Sequence, residues 1–272
     1  MAHRIADDGG LEDVGKLQLF IHSLFARYEP ALLRILDSLI RSDLFRGKGR
    51  PVLVFIRERL DFLPRGEVVS TQRAKDFVDA LSNSGDSKII VSACECQEAL
   101  GRREGTLFKE MTVLYGTEVY RRAKGGFRET SPAEAKILLD RLRKEGCIPT
   151  FYACLKSKGW MVVVCNCEGE VCLPFRAHQL LGGVLSPGPD VINLDPDGCV
   201  GCGRCVERCS FEANRLVDGK VVFDPARCYG CGLCVSTCPT QARRLMERKE
   251  YTNLYYPLDF VMRYGSKTAG DG

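Results

Sequence analysis

A chain of 272 residues is long enough for one large or two ordinary domains, each with its own core. Apolar residues make up 45% and charged residues 27%, the balance of a soluble globular protein, and no stretch approaches the ~18 apolar residues that a bilayer crossing needs. The net charge of +4, with no recognisable binding motif beside it, speaks against nucleic acid as a partner. Local basic clusters at Arg121–Lys124 and Arg243–Arg244 read as solvated faces or as a docking patch for an acidic redox partner. Fifteen cysteines are many for this length, and their spacing is that of metal ligands rather than disulfides, which points to a reducing compartment. Near the N-terminus stand Asp7 and Asp8 with no apolar signal core, so the expected location is the cytoplasm.

Residues 1–68 read as a helical packing or partner-binding region. Leu17, Leu19, Phe20, Leu24 and Phe25 form an apolar patch, and Pro30 stands where a helix would begin. Leu32, Leu33, Ile35, Leu36, Leu39 and Ile40 then recur at helical spacing, Gly47 acts as a stop, and Pro51–Ile56 suggests a short strand.

Residues 69–189 alternate strand and helix. Thr71–Leu81 reads as a helix, and Lys88–Ala93 as a buried strand that runs into Cys94-Glu-Cys96. Pro132–Glu145 is a marked helix, with Ser131 and Glu134 as a capping box and Gly146 as its stop. Thr150–Leu155 and Trp160–Cys165 flank a hairpin turn, and the second strand runs into Cys165-Asn-Cys167 and then Cys172. Ser186–Pro189 is a linker or sharp turn.

Residues 190–246 are dominated by two cysteine runs. Val191–Asp195 reads as a strand, and Asp218-Gly219 as a hairpin turn between Leu216-Val217 and Val221–Phe223. Residues 247–272 form an aromatic tail, with Tyr251, Tyr255, Tyr256, Phe260 and Tyr264, suited to docking on another surface. The expected class is α+β: an N-terminal helical region, a central mixed α/β cysteine-containing domain and a C-terminal two-cluster ferredoxin-like domain.

The two runs are Cys199, Cys202, Cys205, Cys209 and Cys228, Cys231, Cys234, Cys238, each C-x2-C-x2-C-x3-C and offset by 29 residues. This is the spacing of bacterial two-cluster ferredoxins, in which the fourth cysteine of each run ligates the other cluster. Two [4Fe–4S] clusters are therefore expected, one on Cys199, Cys202, Cys205 and Cys238, the other on Cys228, Cys231, Cys234 and Cys209. Glycines 201, 203, 230 and 232 stand between ligands, where backbone N–H groups must approach sulfur and φ can be positive. The 29-residue repeat predicts a pseudo-two-fold unit of two βαβ-like halves. Ser210 replaces the proline found at the matching position 239. Zinc also takes four thiolates, but its sites usually pair two C-x2-C knuckles.

A second group comprises Cys94, Cys96, Cys165, Cys167 and Cys172. Residues two apart on a strand share a face. If the two strands that end in these pairs are parallel neighbours, the sulfurs converge at one sheet edge as a candidate third centre. The readings left open are a third iron–sulfur cluster, zinc or another metal, and buried cysteines or a redox dithiol without metal. Cys147 and Cys154 read as core residues.

From about residue 69 to 246 the chain resembles a family of cytosolic iron–sulfur proteins of anaerobes. Cys94-Glu-Cys96-Gln97, Glu134-Ala135, Cys165-Asn-Cys167, Cys172 and the two ferredoxin runs carry the likeness. Related sequences have further cysteines soon after the first element, where this chain has Leu107, Phe108 and Met111. The resemblance implies electron transfer, often within a larger redox assembly. Three functions compete. One is a non-catalytic electron-transfer subunit of an oxidoreductase complex. Another is a redox enzyme with its metal centre at the five central cysteines, near which Glu95, Glu168, Glu170 and His178 lie in sequence. The third is an assembly or docking protein that grips a larger enzyme.

Overall fold

The computed structural model describes residues 16–59, 66–83, 88–102, 105–123, 125–154 and 161–251. The expectations for Asp7 and Asp8, Lys124, the hairpin turn at 155–160 and the tail beyond Tyr251 lie outside these residues. In chain order the elements begin with helices α1 (Lys16–Arg41), α2 (Asp43–Arg46) and α3 (Arg50–Arg59). The central part comprises β1 (Gly66–Val68), α4 (Thr71–Asn83), β2 (Ile89–Ala93), α5 (Glu95–Ala99), β3 (Phe108–Leu114), α6 (Tyr115–Ala123), β4 (Arg128–Thr130), α7 (Pro132–Glu145), β5 (Ile148–Cys154), β6 (Met161–Cys167), α8 (Leu173–Leu181) and β7 (Leu185–Pro187). The C-terminal unit comprises β8 (Asp190–Leu194), α9 (Arg204–Glu207), β9 (Asn214–Val217), β10 (Lys220–Phe223), α10 (Leu233–Ser236) and β11 (Arg243–Glu247).

The N-terminal region departs from expectation in three places. Pro30 lies inside α1 rather than at a helix start. An interior proline costs ~3 kcal/mol; packing on both sides of it offsets this, with Ala26 buried before it and Asp37 and Ile40 after it. The helix ends at Arg41, and Gly47 closes only the short α2. Pro51–Ile56 is helix α3, not a strand: Pro51 occupies the first turn, where its missing N–H is no loss. None of the α3 residues is buried. The helix is anchored by arginines on the last carbonyls of α8, with Arg50 Nε 2.8 Å from Leu180 O and Arg57 Nη1 2.6 Å from Gly182 O.

Among the described residues the central sheet has seven strands in the order β4-β2-β3-β6-β5-β1-β7, antiparallel throughout except for the β1–β7 pair. β1 makes residues 66–68 part of this sheet. β2 and β6 are not the direct neighbours that the sequence suggests; they lie one strand apart across β3. Two antiparallel pairings in succession make them parallel to each other, so their C-terminal ends lie at the same edge.

Strand alternation divides the sheet into two unlike faces. Val91, Met111, Val113, Val162, Val164 and Phe151 point to one face and pack with Phe77 and Leu81 of α4 and Leu138, Leu139 and Leu142 of α7. This is the main core. The α7 capping box forms as expected, Ser131 N donating to Glu134 at 2.9 Å and Glu134 N to Ser131 at 3.3 Å, and Gly146 ends the helix at φ 93°. Glu110, Thr112, Thr150, Tyr152, Cys165 and Cys167 alternate to the opposite face, where α6 packs and α1 lies across α5, α6 and α8.

The C-terminal unit has the internal symmetry that the repeat predicts. α10 follows α9 by 29 residues, and so do the positive-φ residues Gln241 and Glu212. β8 pairs with β11 and β9 with β10, so each half lends its outer strands to the other. Asp218 and Gly219, both at positive φ, form the expected hairpin turn. Asp190 ties this unit to the central domain: Ser70 Oγ donates to it at 2.8 Å and Arg73 at 3.1 Å, while Arg73 also reaches Glu247 at 3.0 Å.

Glu67 on β1 is buried, and the hydroxyl of Tyr251 donates to its carboxyl group. Burial pushes its pKa up from 4.5 to about 7. The native state therefore holds a proton that the unfolded chain releases between those values, and stability falls as pH rises through that window. Glu67→Gln, whose amide oxygen still accepts from Tyr251, should be more stable than the parent at pH 8 by up to ~3 kcal/mol and indistinguishable near pH 4. Urea denaturation at both values checks this.

Candidate metal centres

In the C-terminal unit the glycines between cysteines have the backbone that close approach to sulfur demands. Gly201 has φ 66° and Gly230 φ 76°. A Cβ on Gly201 would sit 2.1 Å from Gly219 O, and one on Gly230 the same distance from Asp190 O. Only glycine fits either loop. Ala213 N donates to Cys209 Sγ at 3.3 Å, and its repeat counterpart, the N–H of Ala242, donates to Cys238. Leu233 N–H donates to Cys231. The negative charge of Cys209 acts on Cys231 and Cys234, whereas Cys199 and Cys202 act on Cys205. Burial raises the pKa of Cys231, and that of Cys234 to about 12, so thiolate formation there requires a strong compensating cation. These loops, donors and buried thiols fit a pair of iron–sulfur clusters.

Arg243 is not the exposed docking charge that the sequence suggested. It is buried at 2% exposure, with Nη1 3.9 Å from Cys234 Sγ and the guanidinium 5.7 Å over the Phe223 ring. Its charge also reaches Cys205. Arg121, in the other basic cluster, pairs with Glu129 at 2.5 Å.

The five central cysteines come together, though not on two strands. Cys94 precedes the first turn of α5 and Cys96 lies within that helix, so the C-x-C pair is a strand-to-helix turn rather than one strand face. Cys165 and Cys167 do share a face of β6, and Cys172 precedes α8. Thiol contacts run from Cys94 to Cys96, Cys172, Cys167 and Cys165 in turn. All five line one cavity, partly open to solvent. Hydrogen bonds from Cys165 and then Cys172 lower the Cys167 pKa to about 5, and hydrogen bonds from Cys172 and Cys94 lower that of Cys96. Gln97 N–H donates to Cys94 and Leu173 N–H to Cys96. Among the described residues no three or more His, Cys, Asp or Glu side chains are gathered as for a single metal ion.

Several residues of this cavity escaped the sequence reading. The Lys109 ammonium is 2% exposed and pairs with Glu168 at 2.5 Å. Glu110 accepts from the Tyr120 hydroxyl and lies 3.9 Å from Cys165 Sγ. The Tyr152 hydroxyl is buried without a hydrogen-bond partner, and burial together with the charges of Cys167, Cys172, Cys165 and Cys96 holds it protonated. Gly66 admits that ring, since a Cβ there would fall 2.6 Å from Tyr152 Cζ. The adjacent pair Lys109-Glu110 inside an otherwise apolar strand is the one signal that could have found them.

Of the acidic and histidine candidates, Glu95 is buried and Glu170 exposed. His178 Nδ1 accepts from Leu185 N–H at 3.1 Å, so Nε2 carries the proton and donates to Tyr229 at 2.7 Å. It is a structural link between α8 and the cysteine loop at 228–234. Cys147 is buried in the core, with Sγ 3.7 Å from Glu168.

Residues 191–239 match the 4Fe-4S dicluster domain. Over 56 residues, 20% of the chain, the sequence is 43% identical to one of the subunits of the ferredoxin:CoB-CoM heterodisulfide reductase from Methanosarcina mazei. The chain spans only 7% of that protein's length. The C-terminal unit therefore has an iron–sulfur electron-transfer role. No described helix is long and apolar enough to cross a membrane.

A buried cation beside the ligand sulfurs favours the reduced, more negative cluster. Arg243→Gln should lower the cluster potential by on the order of 50 mV, a Coulomb term of about 1 kcal/mol at partly buried dielectric. Redox titration monitored by EPR reads the shift, and the iron content should not change.

Proposed function

We propose that the chain is an electron-transfer subunit that relays single electrons through two [4Fe–4S] clusters inside a larger oxidoreductase complex. Cys199, Cys202, Cys205 and Cys238 hold one cluster, and Cys228, Cys231, Cys234 and Cys209 the other. The observation that carries this reading is the charge of Cys209 acting on Cys231 and Cys234 of the other run. It supports the exchange of fourth ligands that the two-cluster spacing implies. Once bound, each cluster accepts and releases one electron. The polypeptide supplies N–H donors to the sulfurs, the buried Arg243 charge, and an apolar shell of Val191, Val206, Val221, Val235 and Leu245 around the buried Cys205, Cys228 and Cys234.

Membership of a complex rests on the N-terminal helices. Ile21, Leu24, Tyr28, Leu32 and Ile35 form a stripe along α1 that is exposed, while Ala26 and Ile40 on another face are buried. Leu44, Val52 and Phe55 on α2 and α3 are exposed as well, and exposed apolar residues gathered in this way mark interaction surfaces. The heterodisulfide reductase relative is, by its name, one subunit of such a system.

A second reading, a redox enzyme with its metal centre at Cys94, Cys96, Cys165, Cys167 and Cys172, draws on the partly open cavity those residues line.

The anaerobically reconstituted protein should show, on reduction, the broadened EPR spectrum of two interacting cubanes. Absence of any reversible one-electron signal would refute the relay. Leu32→Lys/Ile35→Lys, on an exposed face, should retain the circular dichroism and EPR of the parent. In its host it should elute as a free chain where the parent elutes within an assembly.

A further inference from the structure

We propose that Cys94, Cys96, Cys167 and Cys172 hold a third, four-iron cluster, and that it exchanges electrons with the cluster held by Cys209, Cys228, Cys231 and Cys234. The electron path rests on the two-cluster reading; the binding site does not.

Three features make the cavity a receptor for a sulfur-bridged cluster. The thiols line one partly open cavity, each in contact with the next, so that several ligands are gathered at one place. The cavity offers donors suited to anionic sulfur: the N–H groups of Gln97 and Leu173, and the buried, unpartnered hydroxyl of Tyr152. Lys109, almost wholly buried, supplies positive charge at the wall. Cys165 is the fifth thiol and the poorest ligand, because it faces the Glu110 carboxylate at 3.9 Å and a thiolate there would meet like charge.

The site also adjoins the C-terminal unit. Cys167, Cys172, Phe175 and Leu233 are buried in one apolar cluster, against which Cys231, Tyr229 and Phe211 pack. Phe211 stacks on Tyr229 with ring centroids 4.1 Å apart. Gly169, between Cys167 and Cys172, lies against Ser210, the neighbour of Cys209: a Cβ on that glycine would be 3.0 Å from Ser210 Oγ. Electron tunnelling falls steeply with distance, and this packed contact makes the cluster with Cys209 the neighbour of the central site. In the step, that cluster is oxidised by one electron and the central cluster reduced by one. No bond or proton changes, and the electron enters from a low-potential one-electron donor.

The full chain, reconstituted with iron and sulfide, should bind about twelve irons, against about eight for two cubanes alone. Cys94→Ser/Cys167→Ser should fall to about eight irons and keep the spectrum of the C-terminal pair, whereas Cys165→Ser should stay near twelve. Cys202→Ser/Cys231→Ser should lose the paired signal and retain a cubane spectrum of its own. On partial reduction by dithionite, that remaining cubane should broaden the EPR signal of the C-terminal pair in the parent. About eight irons in the parent, zinc in place of iron, or loss of iron from Cys165→Ser would overturn the assignment. If instead the parent binds only about four irons, all lost in Cys94→Ser/Cys167→Ser, the two-cluster reading fails and the central site stands.

Discussion

Thiolates are anions, and burying many of them in a chain of this size would cost several kcal/mol each unless positive charge or hydrogen bonding met them. That constraint accounts for much of the architecture. In the C-terminal unit it is met by glycine loops that turn N–H groups toward sulfur and by Arg243 beside Cys234. In the central domain it is met by N–H groups at the first turns of α5 and α8 and by Lys109. The seven-stranded sheet can carry such a face because its pleat separates it from the core. Val91, Met111, Val113, Val162 and Val164 bury on α4 and α7, which leaves the opposite side free to be polar.

The pseudo-two-fold of the C-terminal unit is close in backbone and broken in chemistry at two places. Arg243 occupies the position matching Asn214; both are buried, but only one is charged. Asn214 instead donates to Cys205 O at 3.3 Å. Ser210 occupies the position matching Pro239 and lies against Gly169. The first difference puts one buried charge where its counterpart is neutral, within reach of Cys234 in one run and of Cys205 in the other. The second falls where this unit meets the central loop, so the departure from the usual proline marks a contact rather than a defect.

The sequence was most legible where chemistry and local geometry coincide. Cysteine spacing and glycine placement anticipated the repeat down to α9 and α10, because loops around a cluster are set by residues a few positions apart. The α7 caps were legible for the same reason. Three readings failed on long-range causes. Cys94 and Cys96 suggested a strand because Lys88–Ala93 is apolar, but the β2–β3 register shifts at Ser92–Ala93 and the chain turns into α5. The insertion of β3 between β2 and β6 is a pairing over some fifty residues that no local pattern records, and it is what brings Lys109 and Glu110 to the thiols. Pro30 would start a helix in isolation, and only tertiary packing of α1 carries the helix through it.

The N-terminal helices bear on the thiol cavity as well as on any partner. α8 starts immediately after Cys172, and most of its outward ties run to these helices. Asp37 of α1 pairs with Arg176, while Arg50 and Arg57 of α3 bind the carbonyls at its C-terminal end. His178, on the same helix, holds Tyr229 beside the cysteine loop of the C-terminal unit. A partner that covered the exposed side of α1 and α3 would thus press on the element that positions both Cys172 and the contact to Cys231. Because α3 buries none of its residues, its hold on α8 depends on exposed and half-exposed hydrogen bonds, each worth about 1 kcal/mol. Excluding water from those bonds strengthens them. Any partner seated there would bear on the cavity through the same few arginines.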